Sequence, residues 1–493
     1  MKSIRLSLIA ISSLVATTAV EAKQRPNILL ICIDDLRQDG DHIGAPEAIT
    51  PNLDRISSEG RLFTHQYVQA PTSGASRAMM LTGAGAKSGK DVNNFTFSNS
   101  LVGSTEDEVP ETFIHHLRRN GYHTIGMGKV SHSDNGFNYT QKQKVQELPY
   151  SRDEFINDPK SPWEDSFDAM LHGYPNGRIR TKEDNAAFEF LDLPDSCYAD
   201  SQLADLAVDR LQQIADQQRC GEGEPTFMAV GFYKPHLPFV APKRYWDLYD
   251  GVDIAISPTP NLPEGVDRSL LHPSAECFKQ YSHAERGGLG VRLSDDYARD
   301  LRRAYLSALS FTDAQVGRVL DRLRETGLDK STIVIIWGDH GWHLGDHSLW
   351  GKHSGFESAL NSLLIAKSPT MRRVGERSDE LVAAIDIYPT ICEYAQIESP
   401  DTVEGVSFVD LIERGRTRLC RDYVLSYWNN ILSLRTAQYR LALFNNGKHE
   451  AMMLFDHYAD PTESRSVAAE NPEVVSELMA RIDQLNRGYL PSR

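Results

Sequence analysis

The sequence predicts an α/β fold, with a large mixed, mostly parallel sheet flanked by helices and a smaller C-terminal antiparallel sheet with a helix. Three observations lead there. The run NILLICI, Asn27–Ile33, is almost continuously apolar between Pro26 and Asp34-Asp35, as a strand buried on both faces must be. Helical patterns that run into apolar strands then recur along the chain, the alternation of α/β proteins. From about residue 398 the pattern changes to short alternating segments.

The opening MKSIRLSLIAISSLVATTAVEA places Lys2 and Arg5 before an apolar run and small residues, the layout of a secretory signal peptide over residues 1–22. A membrane anchor is the competing reading, but the run is short and broken by Ser and Thr. A mature chain starting near Lys23 is expected, exported to a periplasm or secreted, with no stable membrane insertion. The catalytic domain is expected over 23–397 and a C-terminal subdomain over 398–493.

After the first strand, a helix is predicted with Thr50 as cap, Pro51 at its first position and Gly60 as its stop. A helix over 111–120 leads into a strand over 123–128, and one over 200–217 into a strand over 226–232. The longest, 296–326, stops at Gly327 and precedes STIVIIWGDHG. Each of these strands delivers polar residues past its carboxyl end, where open α/β sheets bind ligands. YVLSYW, YRLALF and MMLFDH read as the antiparallel strands, covered by a helix over 472–486. The Gly/Arg/His-rich stretch 262–293 reads as a surface insertion near the site or as a mobile loop.

With 52 basic against 68 acidic residues the net charge is −16, which argues against nucleic acid as a partner. An anionic substrate must therefore meet a local basic pocket. Six scattered cysteines without a CxxC pair suggest no zinc site, and Cys32 inside the first strand reads as a small buried hydrophobe.

The stretch QAPTSGASRAMMLTG, 69–83, is a small-residue turn opening a helix. Such a turn holds an anion on its N–H groups, or Ser73 simply caps the helix. Asp34-Asp35 and Asp339-His340 follow two separate buried strands. Adjacent carboxylates there repel unless a cation neutralises them, whereas a single such Asp commonly caps a helix. The remaining strand ends supply Lys129 with His132 and Lys234 with His236, and GDHSLWGKHS adds Lys352 and His353. Singly, each is a common solvated side chain. Together, a metal, several cations and titratable histidines around a small-residue turn suit a tetrahedral oxyanion ester.

These motifs carry a resemblance. RPNILLICIDDLR, TPNLDRISSEG, SGASRAMMLTG, GYHTIGMGKVSH, KPHLPF, WGDHGWHLGDHSLWGKHS, AIDIYPTICEYA and LFDHYADPTESRS resemble, in order, the type I sulfatases of the alkaline phosphatase superfamily, and most closely the iduronate-2-sulfatase-like branch. The resemblance implies an alkaline-phosphatase-like sheet and oxidation of the residue at position 73 to formylglycine. Ser73 stands first in that motif and Arg77 last, with Ala75 in place of the usual Pro; the Ser form resembles substrates of a serine-type radical-SAM maturase. A plain Ser alkoxide could accept sulfuryl but would leave a sulfate ester hard to hydrolyse. An aldehyde hydrate has two hydroxyls, one to attack sulfur and one to expel sulfate.

By the same resemblance Asp34, Asp35, Asp339, His340 and modified residue 73 would hold calcium, an ion that prefers oxygen ligands. Arg77 would hold the hydrated aldehyde, and Lys129 and Lys352 would grip sulfate oxygens. His236 would protonate the leaving alcohol and His132 would act as the base, roles the sequence leaves exchangeable. Lys234, Trp342, His343 and His353 are candidates for substrate contact. The implied activity is an exported sulfatase acting on a sulfated oligo- or polysaccharide, either a glycosaminoglycan or an algal polymer such as ulvan or carrageenan. The alternatives are a phosphodiesterase or phosphonate hydrolase of the same superfamily, or a sulfated-glycan binder without catalysis.

Overall fold

The computed structural model describes residues 25–491 apart from 102–104, 107–108, 134–135, 138–144, 157–162, 164–166, 274 and 416–420. The signal peptide expected over 1–22 and Cys420 lie outside the described residues. The central sheet has eight strands: β1 (Asn27–Ile33), β2 (Arg61–Phe63), β3 (His123–Gly128), β4 (Glu154–Ile156), β5 (Thr226–Phe232), β6 (Thr332–Gly338), β7 (Leu364–Lys367) and β8 (Glu376–Ser378). They lie in the order β8-β2-β7-β6-β1-β5-β3-β4. Within this sheet only β7 runs against its neighbours.

The apolar runs follow from burial on both faces. Ile28, Leu30 and Cys32 of β1 belong to one apolar layer, and Leu29, Ile31 and Ile33 to the other. Each aliphatic side chain so buried contributes about 1.5–3 kcal/mol. Helices α1 (Pro51–Glu59), α2 (Ser73–Thr82), α3 (Phe113–Arg119), α4 (Ala199–Arg219), α5 (Glu276–Gln280), α6 (Asp295–Glu325), α7 (Ile387–Ala395) and α8 (Pro472–Leu485) follow in chain order. The first layer takes α2, α3, α7 and α8, and the second takes α1, α4 and α6. As expected of a small hydrophobe, Cys32 is buried, and burial pushes its thiol up to about 12. Among the described residues, no helix is long and apolar enough to cross a membrane.

Pro51 opens α1 and Gly60 closes it, as expected, but the hydrogen bonds at its N-terminus come from elsewhere. Thr50 occupies the N-cap position without a side-chain cap hydrogen bond. Instead Asp313 of α6 accepts from Leu53 N at 2.7 Å and from Asn52 N at 3.1 Å. A carboxylate does this better than a hydroxyl, because the N-terminus of a helix carries partial positive charge. At α6 the cap is local: Ser294 Oγ accepts from Tyr297 N at 3.2 Å.

The C-terminal sheet is β9 (Val424–Trp428), β10 (Ile431–Arg435), β11 (Tyr439–Asn445) and β12 (Glu450–Asp456), paired antiparallel in sequence order. Leu478, Met479 and Ile482 of α8 share its apolar layer with Leu432, Leu434 and Leu441. Strand β10 was not among the expected elements.

Candidate active site

Four neighbouring parallel strands, β3, β5, β1 and β6, end at one edge and place the predicted residues together. Asp34 and Asp35 follow β1, Asp339 and His340 follow β6, Lys129 and His132 follow β3, and His236 follows β5. The ends of β3 and β5 approach closely. A Cβ on Gly128, whose φ is +64°, would lie 2.3 Å from Gly231 O. Only glycine fits there, and Lys129 N donates to Gly231 O at 2.8 Å.

Ser73 opens α2 and does not cap it; Asn94 accepts from Gly74 N at 3.1 Å and from Thr72 Oγ1 at 2.9 Å. That frees Ser73 Oγ, which lies 3.0 Å from Asp34 Oδ1 and 3.0 Å from His340 Nε2. His340 Nδ1 must carry the ring proton, because it faces the carbonyl of Gly341 at 3.1 Å and a carbonyl only accepts. The Nε2 lone pair therefore points at Ser73. One hydroxyl proton cannot serve two acceptors.

The carboxylates repeat this excess of acceptors. Asp34 Oδ2 takes Lys129 Nζ, Asp35 Oδ1 takes Lys352 Nζ at 2.8 Å, and Asp339 Oδ2 takes Arg77 Nε at 2.9 Å. Asp339 Oδ1 accepts from Asp35 N at 3.0 Å, while Asp35 Oδ2 is buried without a hydrogen-bond partner. Asp35 itself adopts φ 57°, a strained conformation of the kind that clusters at functional sites. Burial, reinforced by Asp34, Asp339 and Glu276, pushes the Asp35 carboxyl well above the usual range despite Lys352. Asp339 rises to about 6, chiefly through burial. Burial also acts on Asp34, but Lys129, His236 and Arg77 hold it well below.

Ligand atoms of Asp34, Asp35, Asp339 and His340 lie within 4.8 Å of one another. Three carboxylates, one imidazole lone pair and an orphaned buried oxygen fit a hard divalent cation. Its binding would require these carboxylates in their ionised form and would oppose the upward push that burial exerts on Asp35.

Above this floor lies a cavity of about 360 Å³ whose lining includes Ser73, Lys129, His132, His236, Lys352 and His353. A hollow of about 490 Å³ opens at the amino ends of β1 and β6, beside Asn27 and Ser331, away from all of these groups. Size does not identify the site; the convergence of charge does. His236 Nδ1 donates to Leu237 O at 2.7 Å, so Nε2 faces the cavity, 3.9 Å from Asp35 Oδ2 and 3.5 Å from Glu276 Oε1. Burial holds both His132 and His236 well below the usual histidine range, and nearby lysines add to it.

Three candidates for substrate contact are placed elsewhere. Lys234 Nζ donates to Leu171 O, His236 O and Pro238 O at 3.1, 2.8 and 2.9 Å, so it clamps the loop that carries His236. Trp342 is fully buried beneath Lys352, whose Nζ lies 5.5 Å from the ring centroid. His343 is held by Asp346 O and Ser354 Oγ at 3.1 and 2.7 Å. His353 does line the cavity, stacked on Trp428 of β9 with centroids 4.6 Å apart. Sequence reasoning missed Asn94, His172, His272 and Glu276, all of which line the same cavity. Asn94, His172 and His272 come from irregular segments, and Glu276 from the five-residue α5, too short for a periodic signal, although 262–293 had the composition of an insertion.

Comparison with known proteins agrees with this geometry. A family model described as sulfatase matches residues 26–397, and one described as N-sulphoglucosamine sulphohydrolase, C-terminal, matches 345–488. The chain is 28% identical over 425 residues to iduronate 2-sulfatase of Homo sapiens, covering 80% of this chain and 73% of that protein. It is 26% identical over 453 residues to a sulfatase of Formosa agariphila, covering 89% and 82%. Among solved structures, a protein in complex with its substrate D-glucosamine-2-N,6-O-disulfate superposes with a TM-score of 0.70 at 19% identity, covering 94% of this chain and 98% of that one. The phosphonate monoester hydrolase of Silicibacter pomeroyi has the same fold, with a TM-score of 0.70 at 23% identity and coverage of 94% and 96%.

Proposed function

Since the chain belongs to the sulfatase family and is a sulfuric ester hydrolase, we propose that it is an exported enzyme that removes sulfate from a sulfated carbohydrate, with residue 73 oxidised to formylglycine. The observation that carries this reading is the setting of Ser73. It stands at the start of a buried helix, 3.0 Å from two prospective metal ligands, beneath a cavity lined by Lys129, Lys352, His132 and His236.

A calcium ion held by Asp34, Asp35, Asp339, His340 and residue 73 would supply Lewis acidity and lower the pKa of an attached hydroxyl. Oxidation of Ser73 would supply the second hydroxyl that a plain serine lacks. The rest is done by the chain. Arg77, fully buried, fixes Asp339 and lies 3.6 Å from Asp34, so it orients the floor of the site. Lys129 and Lys352, both buried, would hold the sulfate oxygens and offset charge as it develops. His236 Nε2 gives its proton to the leaving alcohol; the arriving anion opposes the effect of burial and lets the imidazole hold that proton. His132 takes the proton released at residue 73.

The test is mass spectrometry of the 62–77 peptide from protein made with and without a serine-type maturase. Loss of two hydrogens at residue 73, appearing together with sulfate-ester hydrolysis, is expected. An unmodified Ser73 beside a maturase active on a control peptide would remove the mechanism and turn attention to phosphate esters or to glycan binding.

A further inference from the structure

The cavity receives an anion, yet one carboxylate faces into it. Glu276 opens α5 within the 262–293 insertion and lines the wall beside His172 and His236. Its Oε1 lies 3.5 Å from His236 Nε2, and its Oε2 lies 3.9 Å from Lys352 Nζ. Both distances exceed a direct hydrogen bond, so these neighbours do not saturate the carboxylate. Lys352 makes its direct contact elsewhere, donating to Asp35 Oδ1 at 2.8 Å.

His172, His236 and Glu276 bring ligand atoms within 4.8 Å of one another. A second cation there would sit beside Lys352 and next to the Asp34, Asp35, Asp339 and His340 centre, and like charge disfavours it. A partly buried carboxylate is instead well suited to accept a hydrogen bond from substrate and badly suited to meet another carboxylate.

The leaving oxygen meets His236 Nε2, and Glu276 Oε1 flanks that same nitrogen. A substituent on the carbon next to the ester therefore falls against Glu276. Lys279, on the next turn of α5, is exposed at the outer rim of the cavity. Further anionic groups of the substrate would be met there, away from the ester.

Resting on the sulfatase reading above, we infer that Glu276 selects sulfated sugars with a hydrogen-bond donor, hydroxyl or ammonium, beside the leaving oxygen and rejects those with a carboxylate there.

The experiment compares kcat/KM for monosulfates of glucose and glucosamine at each ring position and for glucuronate 4-sulfate, whose carboxylate is carried by the carbon next to the ester, in wild type and E276Q, with 4-nitrophenyl sulfate alongside. The wild type is expected to prefer glucose 4-sulfate over glucuronate 4-sulfate by about tenfold or more, and E276Q to reduce that ratio about tenfold. Among the 3-sulfates, whose neighbouring C2 carries the hydroxyl or the amine, preference for glucose reports a hydroxyl donor and preference for glucosamine an ammonium; either supports the inference. Equal turnover of glucuronate 4-sulfate, an unchanged ratio in E276Q, or turnover of 4-nitrophenyl sulfate with refusal of every sugar overturns it. Refusal of every sulfate ester by protein whose residue 73 is modified overturns the sulfatase reading itself, and the inference with it. The wild-type ratio needs no variant, so the inference stays open to refutation should E276Q not fold.

Discussion

Replacing Lys234 by Met separates a clamp from a substrate contact. The ammonium has three protons, and Leu171 O, His236 O and Pro238 O lie 3.1, 2.8 and 2.9 Å from it, so no donor is left for a sulfate oxygen. Methionine keeps an unbranched stem and removes all three donors. A buried carbonyl without a donor costs about 1–3 kcal/mol, and groups that share one partner do not add at full value. At the low end for each, the loss is about 3 kcal/mol. One of the three carbonyls belongs to His236, so the loop carrying that imidazole loosens, and kcat falls while KM stays within about threefold of wild type. Urea unfolding and steady-state kinetics on 4-nitrophenyl sulfate read the two effects. A K234M protein within about 0.5 kcal/mol of wild type in stability but with KM raised about tenfold would show that Nζ reaches substrate and that the clamp is wrong.

Ser73→Ala removes the group on which the proposed reaction depends while disturbing only contacts to Asp34 and His340; a fall in kcat/KM of about a thousandfold with a melting temperature near wild type is expected, and residual activity above a tenth would rule out residue 73 as the nucleophile. Treatment with a chelator should lower both activity and melting temperature, and calcium should restore both, since an ion at a hundred times its Kd stabilises the fold by about 2.7 kcal/mol; a melting curve indifferent to chelator would argue against an ion among Asp34, Asp35, Asp339 and His340. Arg440→Met removes one partner of Glu463, 2.7 Å from Arg440 Nε, and one of Glu357, in a buried network between the C-terminal sheet and the main body that His457 and Arg435 also join. Leaving a buried charge wholly unpaired costs about 3–5 kcal/mol, so with these partners kept a loss below that range is expected, and differential scanning calorimetry showing no shift would mean that Arg440 contributes nothing to the network.

What could be read from the chain follows from how locally each feature is determined. Asn27–Ile33 is legible because both of its faces are buried, so every residue reports the environment. The helix Asp295–Glu325 is legible because its apolar stripe and its Ser294 cap lie in one stretch of chain. At α1 the Thr50 position was legible but the carboxylate that serves its N-terminus was not, because Asp313 lies 261 residues beyond Asn52. Nor was β10, five residues whose ILSLR pattern lies between two stronger segments.

The site divides along the same line. A parallel sheet brings the carboxyl ends of its central strands to one edge whatever the loops do, so residues just past those ends are gathered by topology alone. That places Asp34, Asp339, Lys129 and His236 within reach of Ser73, and makes the chemistry readable from strand ends. Residue type does not say which way a side chain turns: Lys234 lies two positions before His236 and points away to carbonyls, and Trp342 turns inward to support Lys352. The walls of the cavity are built by Asn94, His172, His272 and Glu276, from segments whose course no periodicity dictates. The charged floor of the site is therefore written in the sheet, whereas the walls that would select a substrate depend on loops that only the folded chain brings to the cavity.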